Sequence, residues 1–150
     1  MRLVLFEPDI PQNAGSLLRL GACLGVAVDI VEPCGFVFSG AQMRRAGMDY
    51  LEHVELVRHD SWSAFLAQHA QGRLVLLTSK AALPYTDFAF AADDKIVLGR
   101  ESAGAPQFVH DRADARLRIP LQAGLRSINV AQAGAMVLGE ALRQTRMFPR

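Results

Sequence analysis

Short, continuous runs of apolar residues alternate along this chain with segments of helical periodicity, and this alternation restricts the fold more than any other feature. The runs cover residues 2–6, 26–31, 54–57, 74–77, 96–98 and 115–119. A strand that is apolar throughout is typical of a parallel sheet that is covered on both faces. Alternating strands and helices predict an α/β protein. Because 150 residues contain no repeat and no linker, we predict one domain, 1–150, with a mostly parallel sheet.

Three helices are predicted between and after these runs. Their expected ranges are 12–24, about 62–71 and about 127–143. We expect Gly25 to end the first helix, Asp60 or Ser61 to cap the second, and Ser127 to begin the third. One further helical turn is predicted around residues 42–46.

The composition favours a protein of the reducing cytoplasm. Lys and Arg total 16 against 15 Asp and Glu, so the net charge of +1 excludes nucleic-acid binding through bulk charge alone. A local basic face stays possible. Cys23 and Cys34 form no CxxC pair, and no signal peptide precedes them, so we expect buried free thiols. No apolar run reaches the roughly 18–20 residues that span a bilayer.

Several common catalytic motifs are missing. The four histidines, at 53, 59, 69 and 110, have no metal-ligand spacing, so no metal is predicted. The chain lacks GxSxG, GxxxxGK[ST] and a GxGxxG after its first strand. Transfer of an already activated group is the chemistry that fits a chain without these motifs.

Two loops rich in small residues carry the strongest functional signal. Residues 98–106 (LGRESAGAP) follow one predicted strand, and residues 119–130 (IPLQAGLRSINV) connect another to the last helix. Glycine allows the backbone of such loops to approach a flat ligand closely. The loops therefore predict a site for an adenosine-like cofactor, held mainly by backbone groups.

Four segments, taken together, resemble the motif regions of the SPOUT methyltransferases. They are LFEPDIPQNAGSLLRLGACLGVAVDIVEPCGF, MRRAGMDYLEHVEL, LGRESAGAP and IPLQAGLRSINVAQAGAMVLGEALRQ, in order over nearly the whole chain. The match is closest to the small type that methylates the ribose 2′-hydroxyl of cytidine or uridine 34, the wobble nucleotide of tRNA. The resemblance implies a C-terminal trefoil knot that holds S-adenosyl-L-methionine. It also implies a cytoplasmic homodimer whose subunits complete each other's sites on the anticodon loop.

The resemblance assigns a set of residues to the cofactor pocket. These are Leu77, Gly99, Glu101, Gly104, Ile119, Leu121 and Ser127. Glu101 and Gly104 are expected to shape the wall, while Ile119 and Leu121 supply apolar contact and backbone groups for the base edge. Ser127 is expected to cap the last helix and to bind the ligand.

Asn13 and Arg19 are the residues that the resemblance places at the reacting ribose. A guanidinium has a pKa above about 12 and seldom gives up its proton. We therefore hypothesise that Arg19 grips a neighbouring phosphate and stabilises alkoxide character, while that phosphate or water takes the proton.

Further residues are expected on the substrate side. Arg44 and Arg45 resemble an RNA-contacting loop, Arg126 is expected near RNA or the cofactor carboxylate, and Asn129 is expected to fix the knot loop. Three other functions stay open at this point. They are 2′-O-methylation of another RNA site, RNA binding without catalysis by a knotted dimer, and a nicotinamide-dependent reductase.

Overall fold

The fold is built on a seven-stranded sheet in which all the described strand pairs are parallel. The computed structural model describes residues 1–41, 50–69 and 71–150. The strands are β1 (Arg2–Phe6), β2 (Ala27–Val31), β3 (Leu56–His59), β4 (Leu74–Leu77), β5 (Leu83–Pro84), β6 (Lys95–Leu98) and β7 (Ala115–Arg118). Their spatial order is β3-β2-β1-β6-β4-β7-β5. This order brings the carboxyl ends of β6, β4 and β7 side by side.

Four helices cover the sheet in the described part of the chain. They are α1 (Pro11–Leu24), α2 (Trp62–Gln68), α3 (Gln107–Arg112) and α4 (Val130–Thr145), with short 3-10 turns at Leu51–His53 and Tyr85–Asp87. Gly25 ends α1 as predicted, because its φ of 64° is a left-handed conformation that glycine adopts without strain. Ser61 caps α2, since its hydroxyl accepts a hydrogen bond from the Ala64 N–H at 3.1 Å.

The core lies on both faces of the sheet. On one face, α1 and α4 pack their buried leucines against the strands, and on the other face Phe65 of α2 and Val109 of α3 do the same. Gly134 of α4 packs closely on this core, because a Cβ there would lie 2.8 Å from Leu17 Cδ2 and 2.9 Å from Leu98 Cδ1. Both faces are therefore covered, as the continuous apolar strands require.

The six predicted strands are confirmed, with boundaries that move by at most two residues. The sequence analysis missed two short elements, the two-residue strand β5 and the six-residue helix α3. Each is too short to show a periodic pattern. The turn predicted around residues 42–46 lies outside the described residues.

The start of the last helix was predicted wrongly. Ser127 lies outside α4, and Asn129 is the N-cap: its side-chain oxygen accepts from the N–H groups of Ala131 at 2.8 Å and Gln132 at 3.3 Å. Serine and asparagine are both good N-caps, so the local sequence cannot choose between them.

The prediction of two buried thiols is wrong for Cys23, which is exposed, whereas Cys34 is partly buried. Cys23 lies on α1, whose buried residues are Asn13, Ala14, Gly15, Leu17, Leu18 and Gly21. Its position therefore falls away from the face of α1 that packs on the sheet. Among the described residues, no helix combines the length and apolarity that crossing a membrane would need.

Candidate functional site

A cavity of about 430 Å³ lies at the carboxyl ends of β4, β6 and β7. Its floor is formed where these strands end, at Leu77, Leu98 and Ile119, and its rim is formed by the loops that follow them and by the start of α4. Ligand pockets typically occupy about 300–1,000 Å³ and lie at this edge of parallel sheets. The cavity is therefore the right size and in the expected place for a nucleotide-type ligand.

The fold brings the predicted cofactor residues together around this one cavity. Its lining includes all seven of them: Leu77, Gly99, Glu101, Gly104, Ile119, Leu121 and Ser127. Three residues predicted for the substrate side also line it, namely Asn13, Arg126 and Asn129. These residues come from four separate parts of the chain. Their individual roles stay predictions.

The loop after β6 is a tight turn that closes on itself. Arg100 and Gly104 exchange two backbone hydrogen bonds, of 2.9 and 3.2 Å between N and O. Gly104 has a φ of +67°, and a Cβ on Gly99 would lie 2.6 Å from the Ala105 nitrogen. The turn itself therefore requires glycine at both positions, and close approach of a ligand is not needed to explain them.

Two carboxyl groups join the loop after β1 to the loop after β6. The Asp9 N–H donates to Glu101 Oε2 at 3.0 Å, and the Glu101 N–H donates to Asp9 Oδ1 at 3.1 Å. The Ser102 hydroxyl also donates to Asp9. Burial and the neighbouring Asp9 carboxyl raise the pKa of Glu101, while the hydrogen bond with Glu101 lowers the pKa of Asp9. As the pH rises, Glu101 is thus the carboxyl group of the pair that loses its proton last. Glu101 lies at the wall of the cavity.

An amide bridge joins the start of α1 to the start of α4 at the same cavity. Asn129 Nδ2 donates to Asn13 Oδ1 at 2.9 Å, while Asn129 Oδ1 caps α4. Asn13 is buried, with 8% of its surface exposed, and its side chain partly offsets the rise in the pKa of Glu101. Asn13, Asn129 and Glu101 therefore form one polar wall.

Arg19 does not reach the cavity. It is exposed on α1, its guanidinium carbon lies 4.6 Å from the centre of the Tyr50 ring, and its Nη2 lies 3.4 Å from the Tyr50 hydroxyl. Six residues separate it from Asn13, so at about 100° per residue the two side chains point roughly 120° apart. Arg44 and Arg45 lie outside the described residues.

Sequence reasoning missed several polar residues of the cavity. Thr78, Ser79 and Lys80 line it directly after β4, and the buried His110 lines it from α3. The first three could have been found, because residues that follow a strand of a parallel sheet lie at its ligand-binding edge. His110 could not, because α3 carries no signal in the sequence.

A parallel α/β sheet with a cavity walled by loops at its carboxyl edge is typical of proteins that bind a nucleotide-type cofactor. The absence of GxGxxG separates this chain from the usual dinucleotide-binding proteins. The chain belongs to the SpoU rRNA methylase family, whose sequence model matches residues 1–139. The resemblance seen in its motifs is thereby confirmed at the level of the family.

Individual relatives are similar over nearly their whole length. A tRNA (cytidine(34)-2′-O)-methyltransferase of Beijerinckia indica is 60% identical over 95% of this chain and 90% of its own length. The protein of the same name from Escherichia coli K12 is 36% identical over 96% and 93%. A solved structure described as "Structural insights into the 2-OH methylation of C/U34 on tRNA" has 38% identity and a TM-score of 0.90, covering 95% of this chain and 94% of that one.

An AdoMet-bound rRNA methyltransferase from Sinorhizobium meliloti extends the likeness of fold further. Its TM-score is 0.83 over 95% of this chain and 55% of its own, with 24% identity. At that identity the likeness concerns the fold alone. A trefoil knot in this chain stays a prediction from the family.

Proposed function

We propose that this protein transfers a methyl group from S-adenosyl-L-methionine to the ribose 2′-hydroxyl of nucleotide 34 in tRNA. The observation that carries the proposal is the convergence of three loops, after β4, β6 and β7, on one cavity. The names of the relatives with 60% and 36% identity supply the substrate, which is a tRNA with cytidine at position 34. We further propose that residues 1–150 act as one domain and work in the cytoplasm.

The cavity fits this cofactor in size and in chemistry. Its volume of about 430 Å³ is within the range of small-molecule sites. Leu77, Ile119 and Leu121 supply the apolar contact that an adenine ring needs, and the strand ends expose backbone N–H and C=O groups to its polar edge. Ser127 and Arg126 line the cavity, and we assign them to the hydroxyl and carboxylate groups of the ligand. When bound, the cofactor supplies a methyl group on a positively charged sulfonium.

The remaining task of the chain is to stabilise the attacking oxygen. A hydroxyl is a weak nucleophile until its developing negative charge is compensated. We assign this role to Arg19, which binds a phosphate next to the ribose while that phosphate or water accepts the proton. Tyr50, packed against the guanidinium, orients it. Asn13 positions the ribose from the polar wall of the cavity.

A homodimer follows from the position of Arg19 in this proposal. Asn13 lines the cavity, whereas Arg19 lies outside it on another face of α1. A second copy of the chain that packs on that face brings its own Arg19 to the cavity of the first. Arg44 and Arg45 are further candidates for contact with the RNA.

The test is transfer of labelled methyl to tRNA from cells that lack this modification, followed by nuclease mapping. Label on the 2′-oxygen of nucleotide 34 is the expected result. Label at another position would assign a different RNA site, and binding of RNA without label would assign a non-catalytic binder. Binding of NADH in place of the methyl donor would support the reductase.

Arg19→Lys tests the role of the guanidinium. Lysine keeps the charge but loses the planar fork that binds two phosphate oxygens, so we expect the rate to fall about 10-fold or more. Arg112→Lys is the matched control, because Arg112 is exposed on α3 and its one ion pair, with Asp114, is long at 3.9 Å. Full activity of Arg19→Lys would refute the role.

A further inference from the structure

Two histidines, ten residues apart in the sequence, lie next to a buried aspartate, away from the cavity. Asp29 of β2 is fully buried, His59 at the end of β3 has a side chain that is fully buried, and the His69 side chain is 14% exposed. His59 Nε2 lies 2.8 Å from Asp29 Oδ1, and His69 Nε2 lies 3.3 Å from the same oxygen. None of the three lines the cavity. The spacing of the histidines in the sequence gives no sign of this cluster.

Two nitrogens of the cluster have no hydrogen-bond partner among the described residues. His69 Nε2 is buried and lies 3.3 Å from Asp29 Oδ1 without hydrogen-bond geometry. The second such nitrogen is His59 Nδ1. A buried polar atom without a partner is destabilising, so such atoms are rare unless a ligand or water satisfies them.

We propose that Asp29, His59 and His69 form a binding site for a divalent transition metal of the zinc type. All three potential ligand atoms lie within 4.8 Å of one another. Zinc bonds of about 2.0–2.1 Å at tetrahedral angles place ligand atoms roughly 3.3–3.4 Å apart. The separation between His69 Nε2 and Asp29 Oδ1 has this value, and the 2.8 Å contact of His59 needs to open by about half an ångström. Solvent at the exposed side of His69 supplies the fourth ligand.

The surroundings hold these ligands in place. Phe65 packs against both imidazoles, with ring centres 5.3 Å from His59 and 4.4 Å from His69. Arg2 fixes the Asp29 carboxylate, because its Nε donates to Oδ2 at 2.6 Å and its Nη2 makes a longer hydrogen bond of 3.4 Å to Oδ1, the oxygen that also faces the histidines. Metal-binding carboxylates are commonly fixed by such an outer hydrogen bond.

The charges near the cluster do not repel a cation on balance. Arg2 shares its guanidinium between Asp29 and Glu55, with Nη1 2.8 Å from Glu55 Oε1. Lys95 acts on His69 electrostatically, but its ammonium donates to the Gln71 carbonyl. The two negative charges of Asp29 and Glu55 and the two positive charges of Arg2 and Lys95 sum to zero. Two imidazoles and one carboxylate form a donor set that zinc prefers over magnesium or calcium.

The experiment is a titration of tag-free, chelator-treated protein with Zn²⁺, followed by calorimetry and by thermal unfolding. We expect one saturable equivalent, and a melting temperature about 5–10 °C higher when free Zn²⁺ is 100 times the Kd. Because neither readout uses methyl transfer, the result is independent of the proposed enzymatic function.

His69→Gln is the variant of choice, since His69 is partly exposed and its replacement leaves the buried pair of Asp29 and His59 intact. It should weaken Zn²⁺ binding at least 10-fold. His53→Gln is the matched control, because His53 is exposed and outside the cluster, and it should bind as the original protein does. Absence of a saturable site, or equal binding by the two variants, would overturn the proposal. So would a melting temperature that does not respond to Zn²⁺.

Discussion

The two bonds of Asn129 can be removed separately, and this allows its contribution to be measured. Its side-chain oxygen caps α4, with the Ala131 N–H 2.8 Å away, and its side-chain nitrogen donates to Asn13 at 2.9 Å. Asn129→Asp keeps an oxygen for the cap and removes the donor of the bridge. Asn129→Ala removes both. Turning the Asn13 amide to restore the bridge would also change its interaction with Glu101, whose pKa the Asn13 side chain lowers.

The expected costs follow from the bonds that each variant loses. Replacing an N-cap asparagine by alanine costs about 1 kcal/mol. Loss of one hydrogen bond between side chains costs about another 1 kcal/mol. Asn129→Ala should therefore lower the free energy of unfolding by about 2 kcal/mol, and Asn129→Asp by about 1 kcal/mol. Asn13→Ala loses only the bridge and should also cost about 1 kcal/mol.

Urea denaturation of the four proteins and of the double alanine variant measures these values. If the bridge is shared, the double variant loses about 2 kcal/mol rather than the 3 kcal/mol expected from adding the single changes, which is a coupling of about 1 kcal/mol. The KM for the methyl donor should rise in every variant, because both asparagines line the cavity. Strict additivity would show that the bridge contributes nothing. Equal losses of the free energy of unfolding for Asn129→Asp and Asn129→Ala would show that the cap contributes nothing.

Two further predictions concern packing and pH. Gly134→Ala places a Cβ 2.8 Å from Leu17 Cδ2, so urea denaturation should show a net loss of about 1–2 kcal/mol. Gly139→Ala on the same helix meets nothing within 4 Å, so its helix propensity should stabilise the protein by about 0.5–1 kcal/mol, and equal effects of the two variants would contradict the packing. Because the pKa of Glu101 is raised, the folded state binds its proton more tightly, so stability falls as the pH rises from about 4.5 to the folded value. Glu101→Gln should lose this decline in urea denaturation measured against pH. It should keep part of the loss at lower pH, because the Ser102 hydroxyl and backbone N–H groups still lower the pKa of Asp9, whereas an unchanged pH profile would exclude Glu101.

The sequence predicts the strands well because their signal is local. Apart from β5, the strands carry short apolar runs: β4 (LVLL) is apolar throughout, and β1 and β6 are apolar after a first basic residue, as burial on both faces favours. What the sequence does not carry is the order of the strands. The placement of β4 between β6 and β7 determines that residues 99–105 and 119–129 face one cavity. The family resemblance predicted that these two loops lie together, since the residues it assigned to the cofactor all line the cavity.

The failures of prediction have a common physical cause, which is that a long-range partner decides between local alternatives. Ser127 and Asn129 are both suitable N-caps, and Asn129 is chosen where its amide can also reach Asn13, 116 residues earlier. In the same way His59 and His69 are ten residues apart with no ligand spacing, yet Asp29 of a neighbouring strand brings their nitrogens to one oxygen. Local rules describe each group separately. The parallel register of β2 and β3, which pairs Val31 with His59, is what makes them neighbours, and only the folded sheet contains that information.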